Sequence, residues 1–222
     1  MKDKNTIKYS IWSIVRLGII TILLMGIINA VPFLITGKLN SNLLNYSIAI
    51  SILLAVIIDI KWIEKKPLSQ VGLCFRGKDV LFFASGVLLA VLFCGVCVGV
   101  ASMILGVNLF PAAVVYVTHP YRGLLAYIVI PFAEELFHRG YFMGNTFQRM
   151  SYWQRSALSA FLFSLSHWMG SGYSSIFMFI FAMAISTFLF GFLFNNLRVM
   201  TGSIWMGFSL HWFFNFIYSC IF

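Results

Sequence analysis

Six acidic residues occur in this 222-residue chain, and two of them, Glu134 and Glu135, stand side by side inside a long apolar run. The others, Asp3, Asp59, Glu64 and Asp79, fall in the N-terminal tail, at helix ends or in a loop. A charged side chain at mid-membrane costs about 3 kcal/mol or more, so a carboxylate pair there marks a functional site by default. Desolvation and mutual repulsion disfavour such a pair further. His167 and His211 lie in later apolar runs, and Asn215 follows His211 at i+4, on the same helix face. In a dry setting, a carboxylate with imidazoles can activate water, and a carboxamide can donate to the oxyanion formed on a carbonyl.

The spacing divides the work. Glu135 and Arg139 are i, i+4 and can pair, which would keep Glu135 ionised. Glu134, about 100° away around the helix, is then left to face a cavity. Phe163 precedes His167 by four and can shape or dry the wall beside the imidazole. His138 follows Glu134 by four and can either touch it or be an ordinary inward-facing residue. Glu134, His167 and His211 lie twelve, twelve and thirteen residues beyond Arg122, Arg155 and Arg198. That is about 18–20 Å from each helix-end marker, so the three groups are expected at one level.

The elements that must position these residues are membrane helices. The chain is 61% hydrophobic and 9% charged, with a mean hydropathy of +0.94, where a soluble domain carries about 25% charged residues. Its apolar stretches are long and unbroken, unlike the alternating strands of a barrel. A span needs about 20 apolar residues, which places helices near 11–33, 42–60, 80–106, 122–146, 156–170, 173–195 and 201–221. The basic, then apolar, start resembles a signal peptide, but the run from Ile11 to Ile35 is long enough to span and is read as a retained first helix. With no linker or repeat, residues 1–222 are expected to form one all-α integral membrane domain, with the chemistry in 122–221.

Every lysine and arginine except Lys38 and Arg122 falls on one side if the N-terminus is cytoplasmic, as the positive-inside rule requires. The net charge of +9 is therefore a matter of topology. No basic stripe interleaves with exposed aromatics, so nucleic acid is not an expected partner; the lipid bilayer is. Residues 61–79 and 147–155 mix aromatics with cations, as interfacial segments do. Cys94 and Cys97 form a CxxC without a partner pair and are read as small packing residues, and no disulfide framework is implied.

Three motifs occur in order on successive apolar runs: EELFHRG at Glu134–Gly140, FSLSH at Phe163–His167 and HWFFN at His211–Asn215. Together they resemble the EExxxR, FxxxH and HxxxN motifs of the CPBP family, the intramembrane CAAX-protease and bacteriocin-processing (Abi) proteins. His138 departs from the aromatic residue that family members often have before the arginine. The resemblance implies about seven transmembrane helices around a conical intramembrane cavity, and peptide-bond hydrolysis. By position, Glu134 and His167 would activate water, His211 and Asn215 would donate to the oxyanion, and Glu135 and Arg139 would support them. No cofactor is expected to be required, since HExxH is absent and Asn215 suits an oxyanion donor. If a metal takes part, zinc on Glu134, His167 and His211 is the set that fits by type. The implied substrate is a peptide or protein, membrane-anchored or prenylated in some members and a leader peptide or bacteriocin in others. The small size of the chain leads us to expect a prokaryotic plasma membrane.

Other chemistries fit worse. A rhomboid-like serine site lacks its Gly-x-Ser-Gly, because Met169 precedes Gly170-Ser171, and no Asp lies in a later span for an aspartyl pair. A proton-coupled transporter would also use Glu and His, but predicts inverted repeats that are absent. A non-catalytic immunity or scaffold protein predicts decayed motifs, and all three are intact.

Overall fold

The computed structural model describes residues 7–38, 41–109, 127–168, 176–178, 180 and 184–221. Arg122, which marks one end of the depth comparison, and the Met169–Ser171 stretch lie outside the described residues. Among those described, every regular element is helical. We label α1 Ile7–Thr36, α2 Ser41–Ile58, α3 Gly77–Leu105, α4 Val129–Glu135, α5 Tyr152–Trp168, α6 Ser186–Thr201 and α7 Trp205–Ile221. Among the described residues, three stretches are long and apolar enough to cross a membrane: Ile7–Thr36, Tyr46–Ile63 and Gly77–Leu105. Their outward side chains match that role; Ile22, Leu23, Ile27 and Leu34 on α1 are all exposed. The chain is a multi-pass membrane protein.

Helix ends follow ordinary rules. Asp79 accepts from the Arg76 backbone N–H at 2.5 Å and from its guanidinium at 3.0 Å, closing a capping box at the start of α3. Gly202 ends α6 in the left-handed conformation, its N–H returning to the Arg198 carbonyl at 3.0 Å. The helix expected over 122–146 is described from residue 127 onward, and from Val129 to Asn145 it is continuously helical but not uniform. After Glu135 the backbone widens into a π-helical stretch, Leu136–Phe142, then a short α turn, Met143–Asn145. A second π-helical turn, Asp59–Ile63, follows α2. Such widenings are costly and often mark functional segments.

The chain forms two compact units, each assembled from distant stretches. The first runs to Cys74 and resumes over Ala133–Ile204. In it α1 packs on α2, with Asn29 donating to Ser47 Oγ at 2.7 Å. Helices α5 and α6 meet where Gly191 faces Ala160, leaving no room for a side chain. The 3₁₀ turn Leu68–Val71 lies against the π-helical stretch and the turn after it. A Cβ on Gly140 would sit 2.7 Å from the Val71 carbonyl oxygen, and one on Gly144 would sit 2.6 Å from that of Gln70.

Asp59 and Glu64, taken from sequence as helix-end and loop acids, turn out to be buried in this unit. Arg16 of α1 bridges them, with Nε 2.5 Å from Asp59 and Nη2 2.5 Å from Glu64. Tyr141 donates to Asp59 at 2.7 Å, Tyr9 donates to Glu64, and Lys66 reaches Glu64 at 3.4 Å and Asn145 at 2.7 Å. The cluster ties α1 to the π-helical stretch after Glu134 and Glu135. Ser10 adds a further tie, accepting from the backbone N–H of Phe147, which has a left-handed φ of 51°.

The second unit comprises Phe75–Phe132 and Trp205–Phe222. Here α3 packs along α7, with a tight approach at Gly86, where a Cβ would lie 2.4 Å from the Met206 carbonyl oxygen. Aromatic contacts line the pair: Phe83 with Phe208 and Trp212, and Phe93 with Phe214. Cys94 is buried and Cys97 exposed on α3, both as free thiols.

Candidate active site

The adjacent carboxylates differ in burial. Glu135 is fully buried, at 0% exposure, whereas Glu134 is half-buried. Arg139, at 1% exposure, places Nη1 3.1 Å from Glu135 Oε1, so the pair expected from their spacing is present. The same guanidinium donates from Nη2 to the Gly191 carbonyl at 3.3 Å. Its carbon lies 4.3 Å from the Phe163 ring centroid and 4.9 Å from that of Phe194. One cation thus joins three elements: the π-helical stretch, α5 through Phe163, and α6 through Phe194 and Gly191. A buried charge needs this much compensation.

Phe163 also faces the imidazoles. Its ring lies 4.5 Å from that of His167 and 5.3 Å, edge-on, from that of His138. The expected wall beside His167 is therefore present, with a second role against Arg139 that spacing did not reveal. His167 Nδ1 lies 2.8 Å from the Phe163 carbonyl oxygen. His138 is buried, its ring also edge-on to Phe137. Glu135, Arg139, Phe163 and His167 therefore form one connected set in the first unit, with His138 packed on it.

An unforeseen polar network braces this set. Asn195 of α6, fully buried, donates from Nδ2 to the Ser156 carbonyl at 3.0 Å and to Ser156 Oγ at 3.1 Å. The Ser159 hydroxyl lies 3.3 Å from Asn195 Oδ1 and 3.4 Å from the His138 carbonyl. The Asn195–Asn196 pair in an otherwise apolar run is the sequence signal that could have flagged it. Nothing local marks Phe194 or Gly191.

His211 and Asn215 belong to the second unit, both on α7, one turn apart as expected. His211 is buried and Asn215 half-buried. Trp212 stacks on Phe208 at 5.8 Å and meets Phe213 edge-on along α7, and Phe83 of α3 lies against both Phe208 and Trp212. Among the described residues of either unit, no three His, Cys, Asp or Glu side chains gather closely enough to hold a metal. By type, the carboxylate and imidazoles of the motifs remain acceptable zinc donors.

No curated protein and no solved structure matches the chain. Residues 116–217, a stretch containing all three motifs, match the family described as type II CAAX prenyl endopeptidase Rce1-like. Through this C-terminal region the chain is similar to the Rce1-like CAAX protease family.

Proposed function

We propose that the protein is a glutamate-type intramembrane endopeptidase in which Glu134 is the general base. The observation that carries this reading is the division of the acid pair: Glu135 is buried against Arg139, while Glu134 is accessible on the same helical segment. Glu134 takes a proton from water as its oxygen attacks the scissile carbonyl carbon. His167 holds the same water, and His211 and Asn215 donate to the developing oxyanion. Collapse of the tetrahedral species breaks the C–N bond as Glu134 returns the proton to the leaving amine, so atoms and charge balance. Donors of this kind act most strongly where water is excluded.

The substrate is a peptide or protein in or at a membrane. A prenylated C-terminal segment is the class the family description favours. The remaining expectations are carried as part of the same proposal: about seven spans around a conical cavity, a cytoplasmic N-terminus and a prokaryotic plasma membrane. So is independence from metal, supported by the absence of HExxH.

The deciding experiment uses the full chain in liposomes and an internally quenched peptide ending in a prenylated Cys-aliphatic-aliphatic-X sequence. Glu134→Gln should lower kcat by about 100-fold or more, as expected for loss of a general base, while leaving the Tm unchanged. Full turnover in that variant ends the assignment.

A further inference from the structure

His167 has two ring nitrogens, and its neighbours distinguish them. Nδ1 lies 2.8 Å from the Phe163 carbonyl oxygen and 3.4 Å from Ser166 Oγ. A carbonyl can only accept, so the shorter contact places the proton on Nδ1. Ser166 points the same way. Its hydroxyl donates to the same Phe163 carbonyl at 2.7 Å, leaving lone pairs toward the imidazole. Both contacts therefore call for Nδ1–H, and the neutral ring carries its lone pair on Nε2.

Phe163 also holds the ring plane. Its own ring lies 4.5 Å from the imidazole, inclined by 57°. That phenyl ring is itself immobilised by the Arg139 guanidinium at 4.3 Å, and by Phe194, whose ring meets it at 6.5 Å and 85°. Phe163 is 2% exposed, packed among these neighbours. A single residue thus grips His167 twice, by carbonyl and by ring, and links it to the Glu135–Arg139 pair.

We infer that Phe163 is a positioning residue that fixes His167 as the Nδ1–H tautomer, leaving Nε2 as a hydrogen-bond acceptor for the reacting water. The final clause rests on the proposed hydrolytic function; the tautomer does not. In this arrangement one water proton is held by His167 Nε2 and the other passes to Glu134. His167 then orients the nucleophile and does not donate from Nε2 to substrate.

The test is nitrogen-15 NMR of the full chain, labelled only at histidine, in lipid nanodiscs. The chain has four histidines, so His167 is assigned by the signals lost in His167→Asn. The expected spectrum of the neutral side chain shows a protonated, pyrrole-type Nδ1 and a pyridine-type Nε2. Phe163→Tyr should retain that pattern. Phe163→Leu keeps the carbonyl and so should keep Nδ1–H, but it removes the ring that holds the imidazole plane and should lower kcat on the quenched peptide by about 10- to 100-fold, the usual effect of removing an orienting partner, with KM unchanged. A protonated Nε2 in the wild type overturns the tautomer, whatever the stability of the leucine variant. A wild-type kcat in Phe163→Leu overturns the part played by the ring. If Glu134→Gln stays active while the His167 pattern is as expected, the proposed reaction fails and the tautomer stands.

Discussion

A guanidinium with 1% exposure must have its charge answered by its immediate neighbours. Arg139 obtains this from Glu135, the Gly191 carbonyl and two aromatic faces, Phe163 and Phe194. The arrangement explains why neighbouring glutamates can serve different ends. Glu135 is fully buried on the arginine, and Glu134 is half-buried beside it. At this scale the sharpest expectation concerns Asn215. In the proposed mechanism its amide matters chiefly once charge has developed on the carbonyl oxygen. Asn215→Ala should therefore reduce kcat by about 10²–10³-fold, the usual loss of an oxyanion donor, with little change in KM. A change confined to KM, measured on the quenched peptide, would assign Asn215 to binding.

Among the elements, α3 packs closely on α7, the helix that carries His211. The two helices approach at Gly86, where a Cβ would fall 2.0 Å from Ser209 Oγ and 2.4 Å from the Met206 carbonyl oxygen. The serine can turn away, but the backbone carbonyl cannot. Gly86→Ala should destabilise the protein by about 1–3 kcal/mol, as overpacking does, seen as a lower Tm in detergent. An unchanged Tm would mean that the helices separate without cost. The π-helical stretch Leu136–Phe142 poses the complementary case. It is held by Tyr141 on Asp59, by Arg139 on α6 and by Gly140 against Val71, all contacts to distant parts of the chain.

For the whole molecule, two bulk variables are informative. Glu64 lies just beyond the Tyr46–Ile63 span. Burial pushes its carboxyl up, but the Tyr9 and Arg16 hydrogen bonds and the charge of Lys66 outweigh this and hold it below the ordinary carboxylate range. A depressed carboxyl stabilises the fold fully above its unfolded value, about pH 4.3, and that contribution is lost as pH falls through the folded value. The Tm should therefore fall on acidification below about pH 4.3, and less steeply in Glu64→Gln; equal slopes in thermal melts would remove Glu64 from the account. The second variable is metal. Turnover should survive a strong chelator, and loss that zinc restores would replace the glutamate-type reading with a metal-dependent one.

Membrane character was legible in the sequence because a bilayer imposes a local rule: long apolar runs with few charges, as in α1 and α3. The three motifs and the Glu135–Arg139 pairing were legible for a related reason, since i, i+4 neighbours meet whatever the rest of the chain does. Only the tertiary structure decided what surrounds them. The burial of Asp59 and Glu64 with Arg16, the second role of Phe163 against Arg139, and the Asn195 network all join residues far apart in sequence. Such contacts leave no periodic trace. The widening after Glu135 likewise escapes a reading based on 3.6-residue periodicity, because its anchors lie in α1, α6 and the turn before α3. The sequence by itself determined which groups are available for chemistry; packing decided which acid is tied down and which way His167 presents its lone pair.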